Sequence, residues 1–175
     1  PLHRSNTYAP THRSSPPIPS FRHVIKSIAR WFSKIRRFGS RAGLYERALI
    51  VLCADHGEHL GEHDIWFTPY VPYQEVLHVP LIVKLPGNRQ AGLAIEEPVS
   101  NLDIAPTILE TIGRPAPAEI DGRSLVGVMN GQRSRKPSLV VAEQGNLPTR
   151  FSKALVEWPW KLLLFRTGAR EVYGL

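Results

Sequence analysis

With one cysteine, Cys53, among 175 residues, the chain can form no internal disulfide. No uncharged apolar run approaches the ~18 residues a helix needs to cross a bilayer, so no transmembrane segment is expected. The opening residues, PLHRSNTYAP, lack the apolar stretch of a signal peptide. Acidic side chains are missing from residues 1–43, which hold nine Lys or Arg and so carry +9. The other 132 residues carry 13 basic against 15 acidic groups, or −2, so the overall +7 belongs to the first segment. No nucleic-acid partner is expected. The first residue is Pro1 rather than Met, and a longer parent polypeptide is expected.

What is present reads as a soluble globular domain, with 42% hydrophobic and 21% charged residues. Ala48 to Cys53 is an uncharged apolar run that predicts a strand buried on both faces, with Cys53 a buried thiol. It leads directly into Ala54-Asp55-His56-Gly57. Ligands of open α/β sheets bind beyond the carboxyl ends of strands, which places Asp55 and His56 where chemistry is expected. A carboxylate oxygen beside an imidazole nitrogen suits a divalent metal. The same residues also fit a strand-end turn with Asp55 capping backbone amides.

Residues 1–19 are Pro-rich and basic, too poor in apolar groups to fold alone, and are expected to be irregular. Ser20 is a plausible N-cap for a helix in which Val24, Ile25, Ile28, Trp31, Phe32, Ile35 and Phe38 recur at helical spacing up to Gly39. Lys26, Arg30, Lys34, Arg36 and Arg37 fill the other face, which suits either packing on a sheet or contact with a membrane surface or phosphates. Val79 to Leu85 is a further strand. Asp103 is expected to cap a helix with Pro106 in its first turn and Gly113 closing it. Ser138–Ala142, Ser152–Glu157, Trp160–Phe165 and Glu171–Tyr173 are expected strands. The domain reading is 1–19 irregular, 20–137 the α/β part, and 138–175 a last core strand followed by an antiparallel subdomain.

Three ordered blocks resemble the sulfatase family of the alkaline phosphatase superfamily. They are Asp55-His56-Gly57-Glu58 through Leu60-Gly61-Glu62-His63 to the Val79-Pro80-Leu81-Ile82-Val83 strand, then Asn101-Leu102-Asp103-Ile104-Ala105-Pro106-Thr107, then Asp121-Gly122-Arg123-Ser124-Leu125. The resemblance runs from about Leu44 to Leu175 and implies the C-terminal portion of the catalytic domain. It implies an α/β fold, a mixed and mostly parallel sheet flanked by helices, with a small C-terminal antiparallel sheet. The implied activity is hydrolysis of a sulfuric ester with a divalent metal, calcium first and zinc or manganese as alternatives, held in part by Asp55 and His56.

The family's nucleophile, a formylglycine made from a C/S-x-P/A-x-R motif, has no counterpart in the chain. No catalytic residue is therefore assigned, and the piece alone is expected to be inactive. Many members place an anion-gripping Lys twelve residues beyond the metal-binding His, where this chain has Thr68. His59 and His63 are the nearby side chains able to compensate, although solvated loop histidines are the plainer expectation. Two rival readings stand beside the first. One is phosphoryl chemistry on the same fold, as a phosphodiesterase, phosphonate hydrolase or phosphoethanolamine transferase. The other is a degenerate module binding a polyanion or membrane surface through the basic helix.

Overall fold

The computed structural model describes residues 21–40, 43–67, 70–132, 139–145 and 152–175. The segment 1–19, the capping role of Ser20 and the position of Thr68 lie outside the described residues. The chain divides into two compact units, 1–38 and 39–175.

Helix α1 (Phe21–Ser40) makes up the described part of the first unit and extends two residues past it. Ile28, Phe32 and Ile35 are half-buried on one side, while Trp31 and Phe38 on the same arc are 64% and 88% exposed. The basic residues fall on the other arc, as the 3.6-residue period requires.

In the second unit, Gly43 at φ 63° starts the short helix α2 (Leu44–Arg47). Strand β1 (Ile50–Cys53) follows, and β2 (Leu81–Lys84) pairs with it antiparallel, Ile50 opposite Lys84 and Cys53 opposite Leu81. Lys84 fastens this ribbon to α2. Its Nζ donates to the Tyr45 and Ala48 carbonyls and lies 4.5 Å from the Tyr45 ring centroid. Three expectations are corrected here. Every ladder among the described residues is antiparallel, where a mostly parallel sheet was expected. The first strand is half-buried rather than covered on both faces, and Cys53 is exposed. The last two share a cause: β2 is the only ladder partner of β1 among the described residues.

The core beside the ribbon contains Leu85, Leu125 and Met129, with Leu49, Leu81, Val83, Val99 and Val126 packed against it. Strand β2 and helix α5 (Val126–Met129) supply much of it, and α4 (Ile104–Thr111) packs against α5. Ser100, not Asp103, begins the helical segment. Ser100 Oγ accepts from Leu102 N at 3.2 Å, and Ser100 N donates to Asp103 Oδ2 at 2.9 Å, a capping box on a 3-10 turn that runs into α4. The other carboxylate oxygen of buried Asp103 accepts from Arg123 N at 2.9 Å. Thr107 Oγ1 donates to the Asp103 carbonyl at 2.6 Å and accepts from Leu125 N at 2.8 Å. A Cβ on Gly122 would overlap the Leu102 carbonyl. The second and third blocks are thus two halves of one interlocked knot.

The C-terminal part is a four-stranded meander of β3 (Leu139–Gln144), β4 (Ser152–Glu157), β5 (Trp160–Phe165) and β6 (Arg170–Gly174), hydrogen-bonded in that order. The strand expected from Ser138 belongs to this sheet from Leu139 onward. Period-2 alternation turns Ser152, Ala154 and Val156 of β4 inward together with Lys161 and Leu163 of β5.

Candidate metal centre

The chain leaves β1 at Cys53, and the Ala54 carbonyl accepts from Asn101 Nδ2 at 3.0 Å, tying the strand end to the turn before α4. Asp55 and His56 follow as exposed side chains, 90% and 49% open to solvent. Asp55 Oδ1 accepts the His56 backbone N–H at 3.0 Å, and that bond holds its carboxyl below the usual carboxylate range. His56 Nδ1–H donates to the Gly57 carbonyl at 2.7 Å, a bond that raises the imidazole pKa. With Nδ1 so engaged, the neutral ring presents the lone pair of Nε2.

Nε2 of His56 and Oδ2 of Asp55 stand 3.9 Å apart. Two donors of one ion, each at about 2.0–2.2 Å, lie no more than about 4.4 Å apart, so the pair fits a shared metal. Among the described residues no group of three or more His, Cys, Asp or Glu side chains is placed to hold a metal ion. Asp55, His56 and Asn101 line an open cleft of about 1070 Å³, alongside Leu81, Val83 and Met129.

Gly57 is required by a close approach. Its N–H donates to the Val76 carbonyl at 2.8 Å, and a Cβ there would overlap the Glu75 carbonyl oxygen. The helical turn α3 (Gln74–Leu77) therefore sits directly against the corner that carries Asp55 and His56.

Of the other site histidines, His59 points into packing and His63 is exposed. His59 is completely buried; Nε2 bonds the Val71 carbonyl at 3.1 Å, and Nδ1 has no hydrogen-bond partner. His63 stacks on Tyr73 with ring centroids 3.7 Å apart, and its Nε2 is 3.8 Å from Glu75 Oε2. Burial raises the Tyr73 phenol pKa, and its O–H donates to Glu171 Oε2 at 3.1 Å, an oxygen that also accepts from Tyr173. Sequence reasoning missed this cluster and missed Lys161 at its edge. The available signal was a lysine inside the run Trp160-Lys161-Leu162-Leu163-Leu164-Phe165.

The family model described as N-sulphoglucosamine sulphohydrolase, C-terminal, matches residues 61–139. A choline-sulfatase from Rhizobium meliloti (strain 1021) is 32% identical over 144 residues, 78% of this chain and 26% of that protein. The chain is sulfatase-like. The likeness lies in the C-terminal part of these proteins. A structure solved in complex with its substrate D-glucosamine-2-N,6-O-disulfate superposes on the sulfatase-like chain with a TM-score of 0.70 at 22% identity, covering 87% of this chain and 32% of the other. The phosphonate monoester hydrolase of Silicibacter pomeroyi gives 0.69 at 24%, covering 82% and 31%. These two show a shared α/β fold. The sulfatase-like chain spans about a third of the solved structures, about a quarter of the choline-sulfatase and less of two extracellular sulfatase homologues.

Proposed function

We propose that this chain is the C-terminal part of the catalytic domain of a longer sulfatase-like hydrolase, and that it contributes Asp55 and His56 to a divalent metal site. The observation that carries this reading is the corner itself. A carboxylate and an imidazole lie 3.9 Å apart at the carboxyl end of β1, with the tautomer fixed by Nδ1–H donating to Gly57. The metal, when bound, lowers the pKa of a nucleophile and offsets the ester's negative oxygens.

The chain's own residues do the rest of what is assigned to it. The His56 N–H bonds the Asp55 carboxylate and favours its ionised form. The Gly57 carbonyl orients the imidazole, and the α3 carbonyls hold Gly57. Thr68, the residue twelve beyond His56, contributes a hydroxyl to the ester oxygens and no charge. The complete burial of His59 gives it a structural part instead, while His63 is exposed and stacked on Tyr73. The nucleophile is supplied outside these 175 residues, so the chain alone does not turn over. Calcium is the ion the family resemblance implies. The imidazole ligand favours zinc or manganese, since calcium prefers an all-oxygen shell.

A second reading, hydrolysis of a phosphonate monoester or phosphodiester, is favoured by the structural likeness to a phosphonate monoester hydrolase. The test uses the polypeptide encoded together with the sequence upstream of Pro1. Hydrolysis of p-nitrophenyl sulfate that Asp55→Asn lowers at least about a hundredfold supports the first reading. A stronger preference for p-nitrophenyl phenylphosphonate, with the same loss, moves the substrate to the second. Activity indifferent to Asp55 overturns the metal role.

A further inference from the structure

Strand β5 breaks the rule its neighbours keep. Its alternation turns Lys161 and Leu163 inward at 2% and 0% exposure, while Trp160 faces out at 61%. A buried ammonium is costly unless polar partners meet it, and those partners come from α3. Lys161 Nζ donates to Gln74 Oε1 at 3.4 Å, and the Glu75 carboxylate favours its charged form against the burial that pulls its pKa down to about 8. Glu75 Oε2 is itself buried, without a hydrogen-bond donor, and has His63 Nε2 at 3.8 Å. Across the ladder Lys161 pairs with Tyr173, whose O–H joins that of Tyr73 on Glu171.

Helix α3 faces Lys161 with the side chains of Gln74 and Glu75 and faces Gly57 with the backbone of Glu75 and Val76. Gln74 and Glu75 open α3, the Glu75 carbonyl fills the space a Gly57 Cβ would need, and the Val76 carbonyl accepts the Gly57 N–H. We propose that Lys161 is a positioning residue that fixes α3, and through it the Gly57 corner that aims Asp55 and His56. Its consequence for metal binding rests on the function proposed above; the mechanical coupling does not.

The experiment measures amide hydrogen exchange by NMR on the full 175-residue chain, comparing wild type with Lys161→Met and Lys161→Arg. In Lys161→Met, exchange at Gly57 rises at least about tenfold while Val140 and Val156 in the meander keep their rates. Lys161→Arg restores part of the protection. Unchanged Gly57 exchange overturns the proposal, as does an equal rise at all three amides, which is what general destabilisation produces. Gln74→Ala provides the same reading should Lys161→Met not fold: a rise of about threefold at Gly57 alone supports the coupling, and none overturns it. Mn²⁺ titration of wild type against Asp55→Asn separates the two claims. Equal responses defeat the metal reading while leaving the exchange result to decide the coupling.

Discussion

The ribbon β1–β2 and the meander β3–β6 are both antiparallel, yet they handle burial in opposite ways. The meander alternates: β4 and β5 turn every second residue fully inward, and the sequence alternation needs no cover on the outer face. The ribbon is built from continuous apolar runs, the pattern of strands covered on both faces, yet none of its eight residues is fully buried. A run of that kind carries a demand for partners on both sides. On the proposed reading, the rest of a longer catalytic domain meets that demand. The candidate site sits on the ribbon, and its support, Lys161, comes from the meander.

The largest effect that sharpens this contrast is Leu163→Ala. Leu163 has no exposed surface, so the truncation costs about 3 kcal/mol, measured by urea unfolding. Gly57→Ala is next, at about 2 kcal/mol, because the added methyl must displace α3 from the corner. The pH profile of stability tests the meander's buried charge. Lys161 releases its proton near pH 8 in the folded chain against 10.5 when unfolded, so from pH 8 upward the unfolded state holds more protons and stability rises. Tyr73, raised by burial, and Tyr173, raised by Glu171, act in reverse, since the unfolded phenols lose protons first above about 10. Stability should climb by about 2 kcal/mol between pH 8 and 10 and then turn over. Lys161→Met should flatten the climb. The smallest effect belongs to the ribbon: Ile82→Ala, at a position 39% exposed, should cost under about 1 kcal/mol. A cost equal to that of Leu163→Ala would erase the contrast.

Local signals carried much of this structure. The position of Asp55 and His56 just beyond a strand was legible because an apolar run, a polarity change and a glycine follow one another in the sequence. The β-hairpin pattern of the C-terminal strands was legible by alternation, and Gly113 does close α4 at φ 71°. What depends on residues far apart was not legible. Lys161 meets Gln74 across 87 positions, and the need for a glycine at 57 arises from a carbonyl 18 residues later. The start of the helical segment slipped by three residues because Ser100 and Asp103 both carry capping side chains, and the 3-10 turn between them made Ser100 the first. His59 looked like a loop histidine because nothing nearby in sequence announces Tyr73 and Val71 closing over it.

The central claim is that Asp55 and His56 act together on one divalent ion. The most direct measurement is an NMR titration of the 175-residue chain with Zn²⁺, following the His56 ring resonances in wild type and Asp55→Asn. The account predicts weak binding that shifts the His56 ring through Nε2, while Nδ1–H stays bonded to Gly57, with the response largely lost in Asp55→Asn. A His56 ring that ignores the ion, or responds equally without the Asp55 carboxylate, would contradict it.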